Sequence, residues 1–349
     1  FCLSRGLGDV YKRQRRGSEK FHSAMVPQAG LDTRTWREVT ELGGQLAQLP
    51  DLPDVSSGAS IALVFDWENW WAIDGRDHPI ALDYLTLAHR WHAALHRQNL
   101  AVDIVNTTSD LSAYSLVVAP QQYLLGDEGA ANLSAYVEQG GNLFISAFSD
   151  VVDQDDAFRE GGFIVSLREV LGVALEDFGA LVPPESVRSA DSAGEVASHA
   201  VPDGPGQSEA PLDGPAGRIV GQYFAEELIV QDAEVLGRFT EGRTAGRAAF
   251  TRKRAGAGNG FYLATIPDDA GMTAVLGWLA SEAGVAAEIP GLPEHVEIAR
   301  RGSILTVINH SAAPIDVDVI GTDMLTGSTD ARREPVSYTH LRAHETGRN

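Results

Sequence analysis

Ser60-Ile61-Ala62-Leu63-Val64-Phe65-Asp66 is an unbroken apolar run between two polar residues, and the segments on either side of it decide the fold. A run this short suits a buried strand, because a helix needs about 10 residues or more to declare itself. Downstream, Leu82, Leu85, Ala88, His89, His92 and Leu95 fall at helical spacing across residues 79–98. Two further short runs, 101–105 and 116–119, read as strands. Residues 127–139 read as a capped amphipathic helix stopped by Gly140-Gly141, and residues 142–147 as another buried strand. Strand, helix, strand, strand, helix, strand predicts an α/β fold, a largely parallel sheet with flanking helices.

The pattern then loosens. A helical signal covers 163–171 and an extended one 173–182. Residues 183–217 are rich in Pro, Gly, Ser, Asp and Glu and nearly empty of aromatic and branched apolar side chains, which predicts a poorly ordered surface excursion. Strands resume over 219–239. A hairpin follows, with 248–252 and 260–266 flanking Ala255-Gly256-Ala257-Gly258-Asn259, and then a helix over 268–283 that buries Leu276, Trp278 and Leu279. Short alternating runs at 296–299, 304–309 and 315–319 predict a small antiparallel β domain with too few strands to be complete. Upstream, Trp36, Val39, Leu42, Leu46 and Leu49 mark a helix over 32–49, capped by Asp32 or Thr33. Pro50, Pro53 and Ser56-Ser57-Gly58 turn its end into a linker.

With 44% hydrophobic residues in 349, the chain can bury the cores of two domains, and no apolar run approaches the roughly 20 residues of a membrane-spanning helix. Residues 1–14 lack the apolar stretch and small-residue cleavage site of a secretory signal. Residues 4–14 (SRGLGDVYKRQ) read instead as a translated transposon-type sequencing adapter. The reverse complement of that adapter, in a shifted frame, gives VSYTHLRAHET, which is residues 336–346. Both ends, 1–14 and 336–349, are therefore expected to be library artefacts and are set aside. This moves the formal net charge from −21 to −24. A surface of that sign repels phosphate backbones, so neither nucleic acid nor an anionic membrane is an expected partner, and a cytoplasmic location is expected. Cys2, the only cysteine, is set aside with its segment, so no disulfide, thiolate metal site or other cofactor is expected.

Glu19-Lys20-Phe21-His22-Ser23-Ala24-Met25-Val26-Pro27, followed by Gly30 and Asp32-Thr33-Arg34, closely resembles the segment that ends the barrel of glycoside hydrolase family 42 β-galactosidases. In that resemblance the Glu and His of the motif bind galactose, which implies Glu19 and His22 here. A carboxylate and an imidazole three residues apart can hydrogen-bond two hydroxyls of one sugar, although spacing alone fits an exposed polar turn better. Residues 61–72, IALVFDWENWWA, look like the opening strand of the family's trimerisation domain. Read by itself, a strand running into three tryptophans at a sheet's carboxyl edge could stack on sugar, anchor a subunit contact or fill a core. The resemblance favours a subunit interface for Trp67, Trp70 and Trp71. It continues in order through residues 114–120, 136–143, 161–163, 171–173, 302–310 and 321–327. It spans about residues 15–328 and is weakest over 183–217.

That resemblance implies a parent enzyme that hydrolyses terminal non-reducing β-D-galactose residues of β-galactosides by retaining double displacement and works as a homotrimer. Residues 15–54 would be the end of its barrel, 55–284 a trimerisation domain similar to class I glutamine amidotransferases, and 285–335 a truncated β domain. Retention needs two carboxyl groups about 5–5.5 Å apart. In this family both lie upstream of the E-K-F-H segment, so no catalytic residue is expected in this chain, which would be inactive alone and supply assembly and part of the galactose-binding wall. Asp150, Asp153, Asp155 and Asp156 read as a solvated loop rather than a catalytic pair. Gly256-x-Gly258-x-Gly260 joins two strands, whereas a dinucleotide cradle must open a helix. Amidotransferase chemistry needs a nucleophilic cysteine, and none remains. A non-catalytic α/β oligomerisation or binding module is the alternative.

Overall fold

The computed structural model describes residues 26, 29–49, 58–75, 78–181, 207–293, 295–311, 313–317, 321–324, 334–336 and 342–345. Cys2, Glu19, His22 and residues 182–206 lie outside these. The chain divides into two compact units, Ser57–Ile298 and Phe1–Ser56 with Ala299–Asn349. Helix α1 (Arg34–Leu46) lies in the second of them. Its N-cap is Thr33, whose hydroxyl accepts from the Trp36 N–H at 3.3 Å.

The larger unit carries a ten-stranded sheet. β1 (Ile61–Val64), β2 (Val102–Val105), β3 (Leu116–Ala119) and β4 (Asn142–Ser146) are mutually parallel in the order β2-β1-β3-β4. β1 and β3 are buried along their whole lengths. A parallel strand covered on both faces needs no polar alternation, which is why these segments read as plain apolar runs. Between them come α2 (Trp67–Ile73), α3 (Tyr84–His96) and α4 (Asp127–Glu138). The short helix α5 (Arg168–Leu171) stops at Gly172, whose φ of 67° suits glycine. The predicted nine-residue helix over 163–171 thus shrinks to a single turn.

Beyond α5 lie β5 (Val173–Asp177), β6 (Ala210–Gly214), β7 (Gly217–Gln222), β8 (Glu227–Val230), β9 (Glu234–Phe239), β10 (Ala248–Ala255), β11 (Gly258–Leu263), β12 (Ile266–Pro267) and α6 (Asp269–Glu282). β11 adds to β4 in parallel, and from there the sheet continues antiparallel through β10, β9, β6, β7 and β12, so the whole is mixed. β5 and β8 pair separately. β6 corrects an expectation, because residues 210–214 were part of the segment predicted to be poorly ordered. Ala-Pro-Leu-Asp-Gly has little strand propensity, yet Ala210, Pro211 and Leu212 are buried between β7 and β9. Pro211 has no N–H to give, but its carbonyl accepts from the Thr240 N–H at 2.9 Å. Tertiary burial overrides local preference here.

Gly256 and Ala257 alone link β10 to β11, with Ala255 paired to Gly258 and Gly256 at φ 58°. A glycine with positive φ at the first of two turn positions matches the right-handed twist of a hairpin. The turn is pressed against the end of α4: a Cβ at Gly258 would stand 2.2 Å from the Gly141 carbonyl oxygen and 2.3 Å from that of Val137. Gly258→Ala is therefore expected to destabilise by roughly 1–3 kcal/mol, as overpacking does. An unchanged urea midpoint would contradict this.

The unit boundary falls within β13 (Val296–Arg301), after which come β14 (Ile304–Asn309), β15 (Ile315–Val317), β16 (Thr322–Asp323), β17 (Glu334–Val336) and β18 (Arg342–Glu345). β13, β14, β18 and β16 form a four-stranded sheet, and β15 pairs antiparallel with β17.

Candidate interaction surface

Loops following β1, β2, β3 and β4 meet at the carboxyl edge of the parallel strands. The first contains the tryptophans, which lie on helix α2 rather than on the strand. Asp66 leaves β1 with extended backbone at the N-cap position, and Glu68 sits in the first turn, where a carboxylate favours the helix N-terminus. The Asp66 carboxylate accepts from the Thr107 N–H at 3.2 Å and hydroxyl at 2.7 Å, tying the ends of β1 and β2 together. Trp67, Trp70 and Trp71 then share one helix face, as residues three and four apart must.

The three indoles differ in surroundings. Trp70 is half-buried against the core, while Trp67 and Trp71 are 59% and 67% exposed. Trp67 contacts Trp70 at 5.3 Å and Trp71 at 6.5 Å between ring centroids, and meets Phe65 edge-on at 5.6 Å. Phe65 in turn stacks on buried Tyr84 at 5.4 Å. The result is an aromatic shelf rooted in the core with its outer two rings in solvent. Burying such rings is favourable, and here two of them stand side by side in water.

The other face of α2 buries Asn69 and Ile73. Asn69 Nδ2 donates to the Gln121 carbonyl at 3.0 Å, and its Oδ1 accepts from the Leu124 N–H at 2.9 Å. Gln121, at φ 47°, donates through Nε2 to the Ser146 hydroxyl and accepts from Trp91 Nε1 at 2.8 Å. The helix carrying the shelf is thus bolted to the ends of β3 and β4 by a buried polar network that sequence reading missed. Its only signal was that Asn69 and Ile73 lie four apart, away from the tryptophans.

After β4 the chain turns sharply at Phe148, whose φ is 65°. Its ring lies between Tyr123, at 4.9 Å and 24°, and Phe224, at 5.0 Å and 13°. His78 meets both Tyr123 and Phe148 edge-on and holds the Ala72 carbonyl at 2.8 Å. The edge where open α/β sheets usually bind ligands is plugged with the protein's own aromatic rings.

Beneath the plug lies Glu226, fully buried. Oε1 accepts from the Phe148 N–H at 2.9 Å and Oε2 from the Tyr262 hydroxyl at 2.6 Å. Arg243 and Arg247 approach the next carboxylate instead, Glu227, at 3.4 and 2.8 Å. Burial pushes the Glu226 carboxyl from its ordinary 4.5 up to about 7, against the two hydrogen bonds. Asp150 also corrects an expectation. It is 2% exposed, not solvated, accepting from the Ser166 hydroxyl and from the Leu167 N–H at 3.0 Å, and burial raises its pKa. Asp155 and Asp156 remain exposed, and Asp153 half-buried. Among the described residues no group of three or more His, Cys, Asp or Glu side chains could hold a metal ion, and no helix is long and apolar enough to cross a membrane.

The α/β sheet thus packs its own aromatic rings at its carboxyl edge and carries an exposed aromatic shelf beside them. Residues 59–286 match the family model of the β-galactosidase trimerisation domain, and the chain belongs to that family, within glycoside hydrolase family 42. A β-galactosidase of Arthrobacter sp is 34% identical over 317 residues, which are 89% of this chain and 42% of that protein. One of Geobacillus kaustophilus is 30% identical over 362 residues, 98% of this chain and 50% of that protein. The chain thus spans about half the length of the curated relatives it matches. Among solved structures, the β-galactosidase of Bacillus circulans sp. alkalophilus superposes with a TM-score of 0.84 at 29% identity, covering 97% of this chain and 49% of that one. The cold-adapted enzyme of Rahnella sp. R3 gives 0.81 at 26%, covering 96% and 48%. The family resemblance drawn from ordered motifs is borne out.

Proposed function

We propose that this chain is the assembly-bearing part of a cytoplasmic, retaining β-galactosidase that hydrolyses terminal β-D-galactose as a homotrimer. In this reading Trp67, Trp70 and Trp71 form part of the subunit interface, and Glu19 and His22 part of the galactose-binding wall. The acid/base and nucleophile lie elsewhere in the enzyme, and the chain alone does not turn over substrate. The observation that carries the reading is the shelf. A domain of a trimerisation family exposes Trp67 and Trp71 side by side on a helix whose far face is locked into the sheet. Aromatic anchors held rigidly in this way are what protein interfaces concentrate.

The α/β unit is read further as similar to class I glutamine amidotransferases. The parallel order β2-β1-β3-β4-β11 supports this, as does the left-handed turn at Phe148 directly after β4, where a strained elbow would expose a nucleophile. Phenylalanine cannot attack a carbonyl, so the likeness is one of architecture. Residues 1–14 and 336–349 are read as adapter translations, which the parent genomic locus would refute by encoding them.

Sedimentation of the full chain tests the assembly role. Self-association is expected, weakened at least about tenfold by Trp71→Ala, since tryptophan anchors dominate contact energies. A monomer at every concentration would overturn it. A nitrophenyl galactoside should not be hydrolysed, and turnover by the purified chain would refute the non-catalytic reading.

A further inference from the structure

We propose that the loop of residues 150–166 is a second arm of the assembly surface, and that Phe158 is the side chain it inserts into a second copy of this chain. The inference rests on the assembly reading above and adds a residue for which the family motifs gave no hint. Phe158 is 69% exposed, more than any other large apolar side chain among the described residues. One edge touches Phe163 at 5.5 Å, and Phe163 packs on Phe178 at 4.7 Å, so the ring is propped from below and open above.

The loop that presents it is firmly held. At its base the Ile164 N–H donates to the Asp150 carbonyl at 3.0 Å, and the buried Asp150 carboxylate gathers Ser166 and Leu167. Near its tip Asp153 Oδ1 accepts from the N–H groups of Asp155 at 2.9 Å and Ala157 at 3.1 Å, while Val152 bridges Phe158. Beside Phe158, Arg159 is 16% exposed and reaches Asp127 at 2.6 Å and the Leu125 carbonyl at 2.7 Å. An exposed aromatic on a pre-ordered loop loses little conformational freedom when it docks, which is the condition for an energetic anchor.

Continuity with the tryptophan shelf points to the same occupant. From Trp71 the path runs through the Ala72 carbonyl to His78, across to Tyr123 at 4.8 Å, and on through the Tyr123 hydroxyl to Asp156 at 3.3 Å, two residues before Phe158. Both features stand on the same edge of the sheet. In a three-fold cyclic assembly the contact is heterologous, so Phe158 meets a different patch of the neighbouring copy and need not meet its own equivalent.

Sedimentation equilibrium of the full chain should compare the native sequence with Phe158→Asp, Phe158→Ser, Trp71→Ala and Ile229→Asp, each checked for an unchanged thermal midpoint. Ile229 is an exposed apolar residue of β8, 48% exposed, and serves as the control. Both Phe158 variants are expected to weaken self-association at least about tenfold while Ile229→Asp leaves it unchanged. Native-like association of both Phe158 variants with loss in Trp71→Ala would overturn the second arm and leave the shelf standing. Equal weakening by Ile229→Asp would also overturn it, because any added charge would then suffice. A monomeric native chain would overturn the assembly reading, and this inference with it.

Discussion

Glu226→Gln is expected to remove a pH dependence of stability that the native chain shows between about pH 4.5 and about 7. The sign follows from proton binding. Below about pH 4.5 the carboxyl is protonated whether the chain is folded or not, and it contributes no slope. Between about 4.5 and about 7 the folded protein keeps the proton that the unfolded chain has released, so stability falls as pH rises. Above about 7 the loss is complete. A rise from 4.5 to about 7 corresponds to a loss on the order of 3 kcal/mol. Glutamine cannot ionise, so the stability difference between variant and native chain should grow by about that amount from acid to mildly alkaline pH. The offset at acid pH reads something else: the amide can still accept from the Phe148 N–H, but the Tyr262 hydroxyl loses an acceptor. A difference constant with pH in urea titrations would show that Glu226 does not carry the proton.

Asn69→Leu should produce the other large effect. Leucine is close in size, but it removes the donor to the buried Gln121 carbonyl and the acceptor of the partly buried Leu124 N–H, both in the segment that follows β3. Two orphaned backbone groups there should destabilise on the order of 3 kcal/mol. Asn69→Asp should do worse, since it keeps the acceptor but sets a carboxylate against the Gln121 carbonyl. Because α2 rests on these bonds, both variants should also loosen the shelf, seen as altered tryptophan fluorescence below the unfolding transition. Native stability in Asn69→Leu would mean that the shelf is held by packing alone.

How legible the molecule was depends on how far apart its partners lie in sequence. β1 and β3 could be read because each is a continuous apolar run, and β4 because Leu143-Phe144-Ile145 forms its centre, as burial on both faces requires. Thr33 and the start of α6 could be read because a cap is satisfied within three residues: Thr33 accepts from Trp36, and Asp268 from Gly271 at 2.8 Å. β6 could not be read, since its pairing with β7 and β9 is what makes Ala-Pro-Leu-Asp-Gly a strand. Asp150 looked like one aspartate among four in a loop, and only the return of residues 164–167 across it takes it out of water.

By itself, then, the sequence determined the family, the parallel half of the sheet and the existence of a tryptophan cluster, because each is written in neighbouring residues or in motifs kept in order. The tertiary structure alone decided which way that cluster faces and what fixes it there. Asn69 meets Gln121 across 52 positions, and Phe148 meets Glu226 across 78. A polar side chain signals nothing about burial until the distant backbone that satisfies it has arrived, and here that arrival turns Trp67 and Trp71 outward while sealing the edge beside them.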